Sequence, residues 1–156
     1  MKFKRKLLAY LFPLSYLVHI AEEFYGGFPA LASRATGIAV SGQAFLMANA
    51  FMLLLMLLVL RLCFTRAERA WPLVTLATII IINSLLHLAT TLYFAIYVGG
   101  VISALLLWLP LGLTVVWVEF RIMPKPLFYR GITLGVAAHC FIPLLLIVFA
   151  ITLGGG

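Results

Sequence analysis

Charge is what this sequence has least of: 10 % of its residues are charged and only four are acidic, where a soluble domain carries roughly 25 % charged residues. With 65 % hydrophobic residues and a mean hydropathy of +1.21, the chain cannot wrap a polar surface around its apolar content. Cysteine is scarce too. Cys63 and Cys140 stand far apart, in or beside apolar stretches, which excludes a disulfide framework and a metal-binding cysteine spacing. They read as free thiols that behave as small apolar residues. A Gly-rich phosphate loop, a nucleophile elbow and an ordered Cys-His set are all missing. The net charge of +7 would point to nucleic acid in a soluble protein. Here the basic residues fall between apolar runs instead of on one face, so no nucleic-acid partner is expected.

What the sequence has in abundance is long apolar runs. Five of them, at about 7–25, 40–63, 71–97, 101–118 and 131–153, approach the roughly 20 residues that a spanning helix needs. The fold class expected is an all-α integral membrane protein, a five-transmembrane-helix bundle, with residues 1–156 forming a single membrane domain. Loops are expected at 26–39, 65–70, 98–100 and 119–130. Pro72 suits a first helical turn, while Pro13, Pro110 and Pro143 fall inside helices and should kink them. Lys2, Lys4, Arg5 and Lys6 ahead of an apolar run have the form of a signal peptide, and Ala30-Leu31-Ala32 that of a cleavage site. The run ends in a histidine and two glutamates, which no such signal needs, so it is read as a retained first helix.

Orientation follows from the basic residues. With the N-terminus inside, Lys2, Lys4, Arg5, Lys6, Arg61, Arg66, Arg69, Arg121, Lys125 and Arg130 are inner and Arg34 alone is outer. That bias gives an N-in, C-out topology. Tyr25, Trp71, Tyr97 and Trp117 near the run ends fit interfacial anchoring. A bias of this kind fits a bacterial inner (cytoplasmic) membrane.

Against this background His19-Ile20-Ala21-Glu22-Glu23 stands out, with two of the four acidic residues one turn after a histidine near the end of the first run. Ionisable groups inside a membrane-length segment are expensive unless paired or wetted, which makes this stretch a candidate site. On the third run Asn83, His87 and Thr90/Thr91 share one helical face, as Ser15, His19 and Glu22/Glu23 do on the first. Asn49 lies in the outer half of the second run. His139 lies near the middle of the fifth, where Gly131 and Gly135 lead to it as a small-residue groove. His19, Glu22, Glu23 and His87 are the candidate catalytic residues, with Asn49 and Asn83 in support. The expected place is an intramembrane pocket on the outer side.

Two chemistries suit these groups. His19 with Glu22 or Glu23 can reach one divalent metal, zinc or iron, from a single helix face, with His87 and His139 completing the coordination. Without a metal, a carboxylic acid kept neutral by burial beside a histidine base suits proton transfer, as in an isomerisation or cyclisation. The plain structural reading also stands: glutamates solvated at the headgroup boundary, His19 bonded to a backbone carbonyl, His87 and His139 as core histidines, and Asn49, Gln43 and Asn83 as interhelical glue.

The stretch His19-x-x-Glu22-Glu23 near the end of a first membrane helix resembles the HXXEE family of small multi-pass membrane proteins. That family also shows a further histidine, which His87 would match, and a Tyr-x-Pro-Gly motif. Tyr97-Val98-Gly99-Gly100 would match the second, with Gly99 where proline is expected. The resemblance implies a membrane domain and supports the site, but supplies no reaction. The function expected is a small integral membrane enzyme acting on a lipid-like or isoprenoid-like apolar substrate, of isomerase/cyclase or metal-dependent hydrolase type. Membrane lipids and an apolar small molecule are its expected partners. A cation- or proton-linked transporter or binding subunit, and a structural partner of a larger membrane complex, are the alternatives.

Overall fold

The computed structural model describes the backbone of residues 2–65 and 70–154, with side chains over 6–63 and 70–153. The loop that holds Arg66 and Arg69 lies outside the described residues. All regular structure in the described residues is helical: α1 (Lys2–Tyr25), α2 (Phe28–Thr36), α3 (Gly42–Thr65), α4 (Trp71–Phe94), α5 (Val101–Ile122) and α6 (Lys125–Gly154). Five of these, all but α2, are long and apolar enough to cross a membrane. Their outward faces are apolar: Leu14, Leu106 and Ile151 are 60 %, 70 % and 60 % exposed, more than a water-facing surface would leave in continuous stripes.

The ends of the helices have local causes. Ser41 Oγ accepts the Ala44 N–H and caps α3. Pro72 occupies the first turn of α4, where its missing N–H leaves no gap. That helix stops at Phe94, short of the expected 97, because Ala95 takes a left-handed conformation (φ 50°) and turns the chain back. The loop expected at 119–130 shrinks to Met123 and Pro124. Proline pushes its predecessor out of the helical region, and Met123 is extended at φ −96°, ψ 144°. Glu119 therefore lies in a helix, 1 % exposed, and not in a loop. The loop expected at 26–39 contains α2, bounded by Gly27 and Gly37, both left-handed.

The long helices run up and down. Ala9, Leu60, Leu73 and Val115 share a core near one end of the bundle, while Val40, Phe45 and Ala150 share one near the other. At the centre is α4, packed against α3, α5 and α6. Glycines on two sides bring its neighbours close. A Cβ on Gly131 would lie 2.7 Å from Val74 Cβ, and one on Gly135 2.5 Å from Thr78 Cβ. From α5, a Cβ on Gly112 would meet Ile81 Cγ1 at 2.6 Å. The close approach lets Thr75 Oγ1 donate to the Gly131 carbonyl at 3.1 Å, a bond between helices. The groove read from the sequence at Gly131 and Gly135 is thus the seat of α4.

Within α5, residues Ala104–Trp108 form a π-helical turn, closed by the Leu109 N–H on the Ala104 carbonyl. Pro110 follows at once, with no N–H to give and a ring that crowds an α-helical carbonyl. Such turns are frequent at functional sites, and this one carries Trp108. Gly135→Leu is expected to pry α6 from α4 and lower stability by about 1–3 kcal/mol, as overpacking does. Reversible unfolding in detergent measures this; an unchanged midpoint would contradict the seating.

Candidate functional site

The last turns of α1 place His19 and Glu23 four residues apart on one face. Glu22, one position earlier, points about 100° away. His87 reaches the same point from α4. Glu23 Oε1 lies 3.1 Å from His87 Nε2 and 3.5 Å from His19 Nε2. All three residues are buried: His19 is 1 % exposed, Glu23 6 % and His87 5 %. Their three donor atoms fall within 4.8 Å of one another, so the trio is a possible cradle for one metal ion. The rings are packed from all sides. Trp108 stacks on His19 with centroids 3.7 Å apart, His87 meets His19 edge-on at 5.0 Å, and Phe28 from α2 lies 5.6 Å from His87.

Ser103 Oγ lies 2.9 Å from His19 Nδ1 and 3.2 Å from the Gly100 carbonyl, which leaves His19 Nε2 as the nitrogen that faces Glu23. With the hydroxyl proton on that carbonyl, the Ser103 oxygen accepts from His19 Nδ1–H. A neutral imidazole protonated on Nδ1 has a bare lone pair on Nε2. Nε2 is indeed buried with no hydrogen-bond partner. It faces a carboxylate oxygen across 3.5 Å. Two acceptors at that distance repel unless a cation or a proton sits with them. The Nε2–H of His87 can bond Glu23 directly, which leaves its own Nδ1 buried and unpartnered.

The turn between α4 and α5 closes the site. Gly100 adopts φ +96°, a conformation costly for any residue with a Cβ. A Cβ there would lie 2.8 Å from Glu23 Cγ, 2.8 Å from His87 Cε1 and 2.9 Å from His19 Cε1. All three members of the trio therefore converge on the space that this glycine leaves open. Gly99 does not need a left-handed φ. It meets α1 backbone to backbone instead, since a Cβ on Gly26 would sit 2.6 Å from Gly99 Cα.

Glu22 is taken up outside the trio. Its Oε1 accepts Tyr97 O–H and Ile102 N–H, both at 2.9 Å, and its Oε2 accepts Ser103 N–H at 2.7 Å. Partial desolvation and then the bond to Glu22 hold the Tyr97 phenol above its ordinary pKa. Asn49 joins α3 to α1: Tyr16 O–H donates to its Oδ1 at 2.7 Å, and its amide donates to the Phe45 carbonyl at 2.9 Å. Asn83 Oδ1 and His139 Nδ1 are buried without a hydrogen-bond partner, and neither residue belongs to the trio. Ser103, Trp108 and Gly100 also belong to the site, and none of them was among the candidate residues read from the sequence. Gly100 alone gave a signal there, as the last residue of the Tyr97–Gly100 turn.

Residues 10–115 match the family described as "Protein of unknown function with HXXEE motif". No curated protein and no solved structure matches the chain. Gly100→Ala is expected to cost more stability than Gly27→Ala. Both glycines are left-handed, a conformation worth about 1–2 kcal/mol against a Cβ, but nothing lies within 4 Å of a Cβ at Gly27. Thermal unfolding of the two variants compares them; equal losses would mean that the trio does not crowd Gly100.

Proposed function

This chain belongs to the HXXEE family, and we propose that it is a small integral membrane enzyme whose His19, Glu23 and His87 hold one divalent metal, zinc or iron, and act on a lipid-like or isoprenoid-like apolar substrate. The observation that carries this reading is His19 Nε2, buried with no hydrogen-bond partner and 3.5 Å from Glu23 Oε1. A cation shared between the two atoms would satisfy both. Donors about 2.1 Å from one tetrahedral ion stand roughly 3.4 Å apart, close to the 3.1 and 3.5 Å separations here. Two histidines and one carboxylate are also the donor set of hydrolytic zinc sites and of non-haem iron sites with open positions.

A metal held there would supply Lewis acidity and an activated water, which favours a hydrolytic reaction. The chain's own residues do the rest. Ser103 fixes the tautomer and the ring angle of His19, as outer partners of metal-bound histidines do. Trp108 and Phe28 pack against the imidazoles of His19 and His87 and hold them in place. His87 would hold the ion through Nε2, the atom it aims at Glu23, with its proton on Nδ1.

Support for an apolar substrate comes from a cleft of about 410 Å³ between α1 and α5. Leu11, Val18, Leu107 and Pro110 line it, and Ser15 and Thr114 are its polar groups. None of the trio lines the cleft, but Ser15 is one turn from His19 and Leu107 adjoins Trp108, so it runs along the same two helices as the site. With five membrane-length helices and the basic residues inside, the trio lies toward the outer side.

Element analysis of the purified protein tests the reading. About one equivalent of zinc or iron is expected, falling at least tenfold in Glu23→Gln and His87→Ala. A wild-type protein that takes up no metal after supplementation would overturn the metal centre and leave proton transfer between Glu23 and the histidines.

A further inference from the structure

We infer that Glu22 is a positioning residue, which sets the metal affinity of the trio through Ser103 without touching the ion; the inference rests on the metal reading above. The helix α5 begins at Val101, and Gly100 before it has no side chain to cap it. Its first amides need acceptors all the same. Glu22 supplies them from another helix, taking the Ile102 and Ser103 N–H groups on separate carboxylate oxygens at 2.9 and 2.7 Å. A carboxylate at a helix N-terminus is also favoured by the helix dipole, and bonds to an ionised acceptor are strong. Tyr97 O–H adds a third bond and holds the carboxylate from the turn itself.

The residue so fixed is the one that orients His19. Ser103 gives its N–H to Glu22 and receives His19 Nδ1–H on its hydroxyl. Glu22 and His19 are three residues apart on α1, so the loop α1–Glu22–Ser103–His19–α1 closes on itself. Rotation of the imidazole would have to break it. The adjacent glutamates of the motif thus divide the work. Glu23 faces inward as a donor to the ion, and Glu22 faces the start of α5 and holds the frame.

Cobalt(II) binding to the full-length protein in detergent tests this, with affinity read by chelator competition and the donor set read from the visible spectrum. Loss of an outer partner of a metal ligand typically lowers affinity about 10–100-fold. Glu22→Gln is expected to fall in that range with the wild-type band positions retained. Ser103→Ala, which leaves the Glu22 carboxylate in place and removes only the hydroxyl, is expected to do the same. The double variant should bind no worse than the weaker single one, because both act through one path. An unchanged affinity in Glu22→Gln, additive losses in the double variant, or a band shift like that of Glu23→Gln would each overturn the inference, the last by making Glu22 a ligand. Wild-type protein that binds no cobalt would instead defeat the metal reading itself, and the inference with it.

Discussion

A carboxylate buried to 6 % exposure, with two imidazole nitrogens 3.1 and 3.5 Å from one of its oxygens, is the constraint around which one end of this bundle is built. An ion removed from water is penalised by several kcal/mol even after relaxation, so Glu23 persists only if positive charge or a proton is delivered to it. Every nearby feature makes sense as part of that delivery. The Ser103 hydroxyl holds His19 Nδ1 at 2.9 Å, which leaves Nε2 facing Glu23. The stacked Trp108 holds the same ring flat. Gly100 gives up its side chain so that the three residues can meet.

The rest of the fold serves to keep those positions fixed. His87 stands on the central helix, which glycines of α5 and α6 hold at close range on two sides. Sites on packed helices keep their geometry better than sites on loops. The one irregular segment of α5 does specific work, because its π turn sets Trp108 against His19 while Ser84 Oγ donates to the Ala104 carbonyl at the start of that turn.

Much of this was legible in the residues. Run lengths and hydropathy give the five long helices, and the four-residue spacing of His19 and Glu23 puts them on one face. The shared face of the third run brought in His87. Which of two adjacent glutamates turns inward was not legible, since neighbours on a helix differ by about 100° and both faces of α1 are partly covered. Ser103 and Trp108 enter through the turn after α4 and the π turn of α5, which depend on tertiary packing and leave no periodic mark. The apolar run is interrupted at Glu119 and Arg121, which put the expected loop there, although the helix continues to Ile122 and Pro124 marks where it stops. Asn49 serves α1–α3 packing, as the interhelical reading of such amides has it. The buried His139 lies outside the trio.

That His19, Glu23 and His87 form one metal centre is the claim on which the functional reading turns. X-ray absorption at the edge of the metal that copurifies with the full chain tests it most directly. The expected spectrum shows two imidazole nitrogens at about 2.0–2.1 Å and light oxygen donors, with no sulfur. A first shell of sulfur, or one of oxygen alone with no imidazole scattering, would contradict it.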